Sequence, residues 1–163
     1  MNTQGSESNL SGQFLEATVE REFKSRGISV FEYSEKRANT DLFAERFLVK
    51  HAPYTSIYGC QSRSEFVYHD DFFGCHIRIE CRWQQSPGSV DEKLPYLYLN
   101  ALEAMPENEI WIVLGGDGAR TDAVEWLKRR CEQAAAKDIR VLSIVDMRRR
   151  VQRLVNDRLR TGT

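Results

Sequence analysis

Residues 62–84 read SRSEFVYHDDFFGCHIRIECRWQ, and this stretch decides the fold. Side chains on an extended strand point alternately to opposite faces. In the second half, Ile77, Ile79, Cys81 and Trp83 therefore share an apolar face, which should meet the core. Arg78, Glu80, Arg82 and Gln84 share the other, with His76 at its head. SRSEFVYHD upstream is also β-rich. A turn around Asp70 and Asp71 would join it to FFGCHIRIECRWQ, which predicts an antiparallel hairpin. Glu65 then lies on the first strand and Glu80 on the second.

Outward from the hairpin, the chain alternates elements. Residues 1–9 are short and polar and read as a flexible lead-in, followed by one domain over residues 10–163. SGQFLEATVEREFKSRG places Leu15, Val19 and Phe23 at helical spacing, with Gly27 as a stop. ISVFEYS and RFLVKHA read as strands, and EKRANTDLFAE between them as a loop with a helical turn. These early strands suggest an antiparallel meander. From Val90 a helix puts Val90, Leu94, Leu97 and Ala101 on one face, with Pro95 in its first turns, where proline is tolerated. EIWIVLGG is the apolar run of a buried parallel strand. TDAVEWLKRRCEQAAAK is a helix capped by Thr121 or Asp122, IRVLSIV a strand, and DMRRRVQRLVNDRLR a last basic helix. Strands that alternate with helices should be parallel.

Composition narrows the function. The chain has 163 residues, 41% hydrophobic and 29% charged, with a formal net charge of -1. That balance predicts no polyanion or membrane partner from overall charge, so a nucleic-acid site would have to be a local patch. The arginines of the last helix (Arg148, Arg149, Arg150, Arg153, Arg158 and Arg160) are either a solvated face or such a patch. No apolar run has the length of a membrane span, and MNTQGSESNLSGQ lacks the apolar core of a signal peptide, so a cytoplasmic protein is expected. Cys60, Cys75, Cys81 and Cys131 show no CxxC spacing and read as reduced, mostly buried thiols. His51, His69 and His76 show no ligand spacing and read as structural or solvent-facing. GGDGAR lacks the ending of a nucleotide-binding loop and reads as a turn, with a phosphate contact as the alternative.

The polar hairpin face admits two readings. It can be a solvated face with ordinary ion pairs. Alternatively, Glu65 and Glu80 are neighbours, about 4–6 Å apart, and two close carboxylates repel unless a cation lies between them. Oxygen ligands of this kind suit Mg2+ or Mn2+. Glu16 flanks the apolar stripe of the first helix, and Lys93 flanks that of the helix after the hairpin, so both can reach the same place. Acids, cations and amides on one face describe a phosphodiester-cleaving site. On either reading the face is wet, so Glu80 should contribute little to stability.

The chain resembles the PD-(D/E)XK nuclease superfamily from about Gly12 to Val145. SRSEFV, ECRWQQSPGSVDEK with the following PYLYLN, and GGDGARTDAVEWLK resemble its small phage- and restriction-associated members. The resemblance implies a restriction-endonuclease-like αβββαβ core, an α/β fold with a mixed central sheet flanked by helices. It implies that Glu65 is the metal-binding acid and Glu80 the acid of the (D/E)-x-K element, with the Cys81 carbonyl in the metal shell. Glu16 matches the acid often found on the first helix, and Gln84 the glutamine just past the strand. The literal PD is absent, and Arg82 stands where lysine is usual. Arginine can stabilise charge but stays protonated and cannot act as a base, so Lys93 is the candidate for the missing lysine.

The expectation is thus a Mg2+- or Mn2+-dependent DNA endonuclease. Glu65, Glu80, Arg82, Lys93 and Glu16 would be catalytic, and Gln84, Gln85 and Arg63 would contact nucleic acid. The alternative is a weakened nuclease fold that binds nucleic acid or a protein without cutting, which Arg82 favours. Specificity would come from a partner protein or a second subunit, a homodimer included.

Overall fold

The computed structural model describes residues 3–38, 45–85 and 88–161. The hairpin consists of β3 (Gln61–Asp70) and β4 (Cys75–Trp83), antiparallel, with Tyr68 opposite Ile77 and His69 opposite His76. Residues 71–74 form the turn, so β4 begins three residues later than its apolar start suggests. Gly74 has φ 61°, a left-handed value that a glycine adopts without strain. Phe72 and Phe73 are thereby left exposed on the turn instead of pairing in the strand.

Six strands form one sheet in chain order. β2 (Arg46–Thr55) pairs antiparallel with β3, as a meander would. β1 (Ser29–Glu32), however, pairs parallel with β2, not antiparallel. The physical reason is the connection. A short helix, α2 (Tyr33–Ala38), follows β1, and the link of residues 33–45 is long enough for a crossover, which parallel pairing requires. The rest of EKRANTDLFAE falls on residues 39–44, outside the described residues. β5 (Glu109–Gly115) and β6 (Asp138–Ser143) extend the sheet in parallel, as the alternation with helices predicts.

Helices cover both faces. On one, Leu15, Val19 and Phe23 of α1 (Thr3–Lys24) and Met147 and Val151 of α5 (Ile144–Thr161) pack on Ile77, Ile79 and Cys81. Each fully buried side chain of this kind contributes about 1.5–3 kcal/mol. α1 begins at Thr3 and so takes in residues read as a lead-in. α5 starts before Asp146, where Ser143 Oγ caps it by accepting the Asp146 N–H (3.1 Å), which ends the strand at that serine. On the other face, Leu94 and Leu97 of α3 (Ser89–Leu99) and Leu127 and Cys131 of α4 (Thr121–Glu132) pack on Ile110 and Ile112. Pro95 lies inside α3, in its second turn. The helix then widens into a π turn, Asn100–Ala104, closed by the Met105 N–H on the Asn100 carbonyl. α4 follows Arg120 with no side-chain cap, and Asp122 accepts from the adjacent Ala123 N–H instead.

Because both faces are covered, the middle of the polar face of β4 is not wet, and only His76 and part of Arg82 reach solvent. Arg78, Glu80 and Gln84 are buried, with Glu80 0% exposed. Arg78 ties the sheet together. It donates through Nε and Nη2 to the two carboxylate oxygens of Glu107, and through Nη1 to the Ala52 carbonyl (3.1 Å) and Ser64 Oγ (2.9 Å).

Candidate active site

The regular pairing of β3 with β4 stops at Phe66 opposite Ile79. Next to it, β2 carries His51 at φ 54°, and its pairing with β3 skips from Lys50–Phe66 to Ala52–Ser64. Phe66 belongs to the α1–α5 core, whereas Ser64 Oγ meets Arg78 on the opposite side. Strict alternation would put both on one face, so the strand turns over at Glu65. The Glu65 side chain consequently lies between the strands and accepts the Cys81 N–H (2.8 Å), doing the work of the missing ladder partner.

Here Glu65 and Glu80 converge, on one guanidinium. Arg82 donates through one nitrogen to Glu80 Oε2 (2.8 Å). Through the other it reaches the Cys81 carbonyl (2.7 Å) and Glu65 Oε1 (3.4 Å). Arg82 therefore bridges the three oxygen ligands expected of a metal centre. Among the described residues, Glu80 Oε1 is buried with no hydrogen-bond partner in bonding geometry, although the Ser64 hydroxyl is near enough to favour the charged carboxylate. A carboxylate oxygen in that condition, beside a second carboxylate and a carbonyl, is a donor set that fits a hard divalent cation.

The electrostatics follow from this crowding. Burial raises the Glu80 pKa from 4.5 to about 7; the charge on Glu65 adds to the rise and that on Arg82 opposes it. Burial and then Glu65 raise Glu16, which lies half-buried on α1 and is also within electrostatic reach of Arg82. Burial disfavours the charge on Arg82, but Glu80 and Glu65 outweigh it and hold its pKa above the ordinary value. Burial also pushes the Cys81 thiol up, which leaves its backbone carbonyl as the group it can offer.

The other candidates are placed unevenly. Gln84 is buried at the end of β4; its N–H donates to the Gly115 carbonyl (3.0 Å) and its carbonyl accepts the Gly118 N–H (2.9 Å). GGDGAR is thus clamped to β4 as a turn. A Cβ on Gly116 would lie 2.1 Å from the Gln84 carbonyl oxygen, and its φ is +82°, so this position requires glycine. Gln85 is exposed. Lys93 is exposed on α3 and makes no described contact with Glu65, Glu80 or Arg82. Arg63 is exposed on β3 and lines a pocket with Glu32 and His51 that Arg82 does not line.

Sequence reading missed one feature beside Arg82. A cavity of about 240 Å3 runs from Arg82 and Gln84 past Leu94, Gly116 and Lys128 to Ser143 and Asp146. It lies at the carboxyl ends of the parallel strands β4, β5 and β6, where α/β sheets commonly bind ligands. The signal available in the sequence was the parallel order of those strands. A second missed feature is the meeting of His69 and His76 at the far end of the hairpin.

Among solved structures, the chain is similar to Pyrococcus furiosus SfsA in complex with Ca2+. The identity is 15% and the TM-score 0.37, covering 67% of this chain and 52% of that one, so the match spans about half of SfsA. No curated protein sequence matches. The family model of the PD-(D/E)XK nuclease superfamily domain matches residues 7–155. With nearly the whole chain inside that match, the protein belongs to the PD-(D/E)XK nuclease superfamily.

Proposed function

We propose that the protein is a divalent-metal-dependent DNA endonuclease. The observation that carries the reading is the convergence of Glu65, Glu80 and the Cys81 carbonyl on one cationic group, the Arg82 guanidinium, where Glu80 Oε1 has no hydrogen-bond partner in bonding geometry among the described residues. These three groups would hold Mg2+ or Mn2+, which when bound lowers the pKa of water and neutralises phosphate charge. The chain's own residues do the rest. Arg82 stabilises the negative charge that develops on the phosphate but takes no proton. Glu16, whose pKa is raised by burial and by the charge on Glu65, would add a third carboxyl group beside the acids. Water oxygen attacks phosphorus and the bond to the 3′-oxygen breaks, leaving a 5′-phosphate and a 3′-hydroxyl. Gln85 and Arg63 would contact the backbone from the rim; Gln84 would act from within the strand end. The setting is cytoplasmic, and specificity comes from a partner protein or a second copy of the chain.

A second reading has its own support. Arg82 fills the position between the acids, as an arginine would in a fold that binds nucleic acid without cutting it. Nicking of supercoiled plasmid by wild type, Glu80→Gln and Arg82→Lys, with Mg2+ and with EDTA, separates the two. Metal-dependent nicking lost in Glu80→Gln supports the endonuclease. An inert wild type with an active Arg82→Lys identifies a disarmed binder.

A further inference from the structure

His69 and His76 are direct cross-strand partners on the hairpin, and Asp71 follows at the start of the turn. Their Nδ1 atoms are 2.9 Å apart, and one ligand atom from each of the three residues lies within 4.8 Å of the others. We propose that His69, Asp71 and His76 form a second metal site, selective for a borderline divalent cation such as Zn2+, and separate from the carboxylate site. Glu65 and Glu80 each lie four residues back along their strands, roughly 13 Å at the rise of a strand.

The ligand chemistry sets the class of metal. Two imidazoles and one carboxylate suit Zn2+, Co2+ or Ni2+, whereas Mg2+ prefers oxygen alone. Tetrahedral zinc with bonds of about 2.0–2.1 Å holds two nitrogens about 3.3 Å apart. The two rings therefore need to separate by only a few tenths of an ångström. The hairpin register holds their backbones, and His69 is stacked on Phe47, with centroids 4.7 Å apart. His76 and Asp71 are exposed, and a cleft of about 480 Å3 lined by His69, His76, Glu107 and Glu109 leaves the fourth position to water.

At 2.9 Å the two Nδ1 atoms can share only one proton. Lys36 Nζ stands 3.3 Å from His69 Nε2, so in the metal-free protein Lys36 donates to Nε2 and His69 donates to His76. A cation at the Nδ1 pair takes the place of the shared proton, and His69 carries its ring proton on Nε2 instead, as a neutral imidazole. Lys36 must then swing away, so it opposes the metal. With the cation in place, the exposed Phe72–Phe73 turn would be pinned to both strands.

The test is titration with Zn2+ and Co2+ alone, by calorimetry and visible absorption, on wild type, His76→Ala, Lys36→Ala and Glu80→Gln. Expected are micromolar Zn2+ binding and a tetrahedral Co2+ band in wild type, at least a tenfold loss of affinity in His76→Ala, and tighter binding in Lys36→Ala. The band should persist in Glu80→Gln. Circular dichroism and thermal unfolding confirm that each variant folds. If wild type gives no such band, or if the band survives His76→Ala and disappears in Glu80→Gln, the proposal is overturned. Neither outcome bears on DNA cleavage.

Discussion

Replacing Glu80 by glutamine tests the geometry most directly. Glutamine keeps the shape of the side chain and cannot ionise. In the metal-free protein, burial raises the Glu80 pKa from 4.5 to about 7, and that value already includes the attraction of Arg82. Folding thus makes the carboxyl hold its proton more tightly than it does in the unfolded chain. The resulting stability is complete below pH 4.5 and is lost as pH rises through about 7. One pKa unit corresponds to about 1.4 kcal/mol, so the full penalty on the charged form is about 3 kcal/mol, of which about 2 kcal/mol develops between pH 5 and pH 8. Urea unfolding of wild type and Glu80→Gln, in EDTA at both pH values, measures it. The variant is expected to gain on wild type by about 2 kcal/mol on going from pH 5 to pH 8. Taking the difference between the two proteins cancels every other titrating group. Mg2+ at pH 8 should then stabilise wild type and leave the variant unchanged. A wild-type-to-variant difference that is the same at both pH values would refute the argument that Glu80 is strained by burial. It would also remove the reason for a cation to be drawn there.

Other outcomes follow from the same contacts. Arg78→Met should destabilise the fold by about 3–5 kcal/mol, because it strands Glu107 and the hydrogen-bond acceptors on β2 and β3; chemical denaturation measures this. Arg82→Ala should slow DNA cleavage on the order of a hundred- to a thousand-fold, as loss of a charge-stabilising donor does, while Lys93→Ala, exposed and out of contact, should cost less than about tenfold; initial rates at fixed salt and Mg2+ decide. Gly116→Ala should lower the melting temperature markedly, since a side chain there meets the Gln84 carbonyl at a left-handed φ; a variant as stable as wild type would contradict the clamp between the glycine loop and β4.

Several expectations were legible because they depend on local pattern. The hairpin follows from two alternating runs and a turn, and it puts Glu65 on one strand and Glu80 on the other, just past the last regular pair, Phe66–Ile79. The same register makes His69 the partner of His76, which the sequence did not show, because a turn centred on Asp70 and Asp71 would set another register than the observed turn at residues 71–74. The parallel half follows from apolar runs separated by amphipathic helices. The direction of β1 was not legible, because it depends on where the chain crosses after α2 and not on the strand's own residues. Local pattern was equally silent on exposure. An alternating charged face looks the same in sequence whether water or a helix lies over it.

By itself, then, the sequence determined the order of elements, the hairpin, and the placement of one acid on each of its strands, since these rest on side-chain periodicity and turn chemistry that act between near neighbours. Only the tertiary structure decided what those acids experience. α3 and α4 close over the second face of the sheet and bury Glu80. The turnover of β3 at Glu65, opposite the left-handed His51, swings that carboxylate onto the Cys81 N–H. Arg82 then bridges both acids and the Cys81 carbonyl. Burial and the charges of distant residues set the energy of an ionised group, and neither exists until the chain has packed.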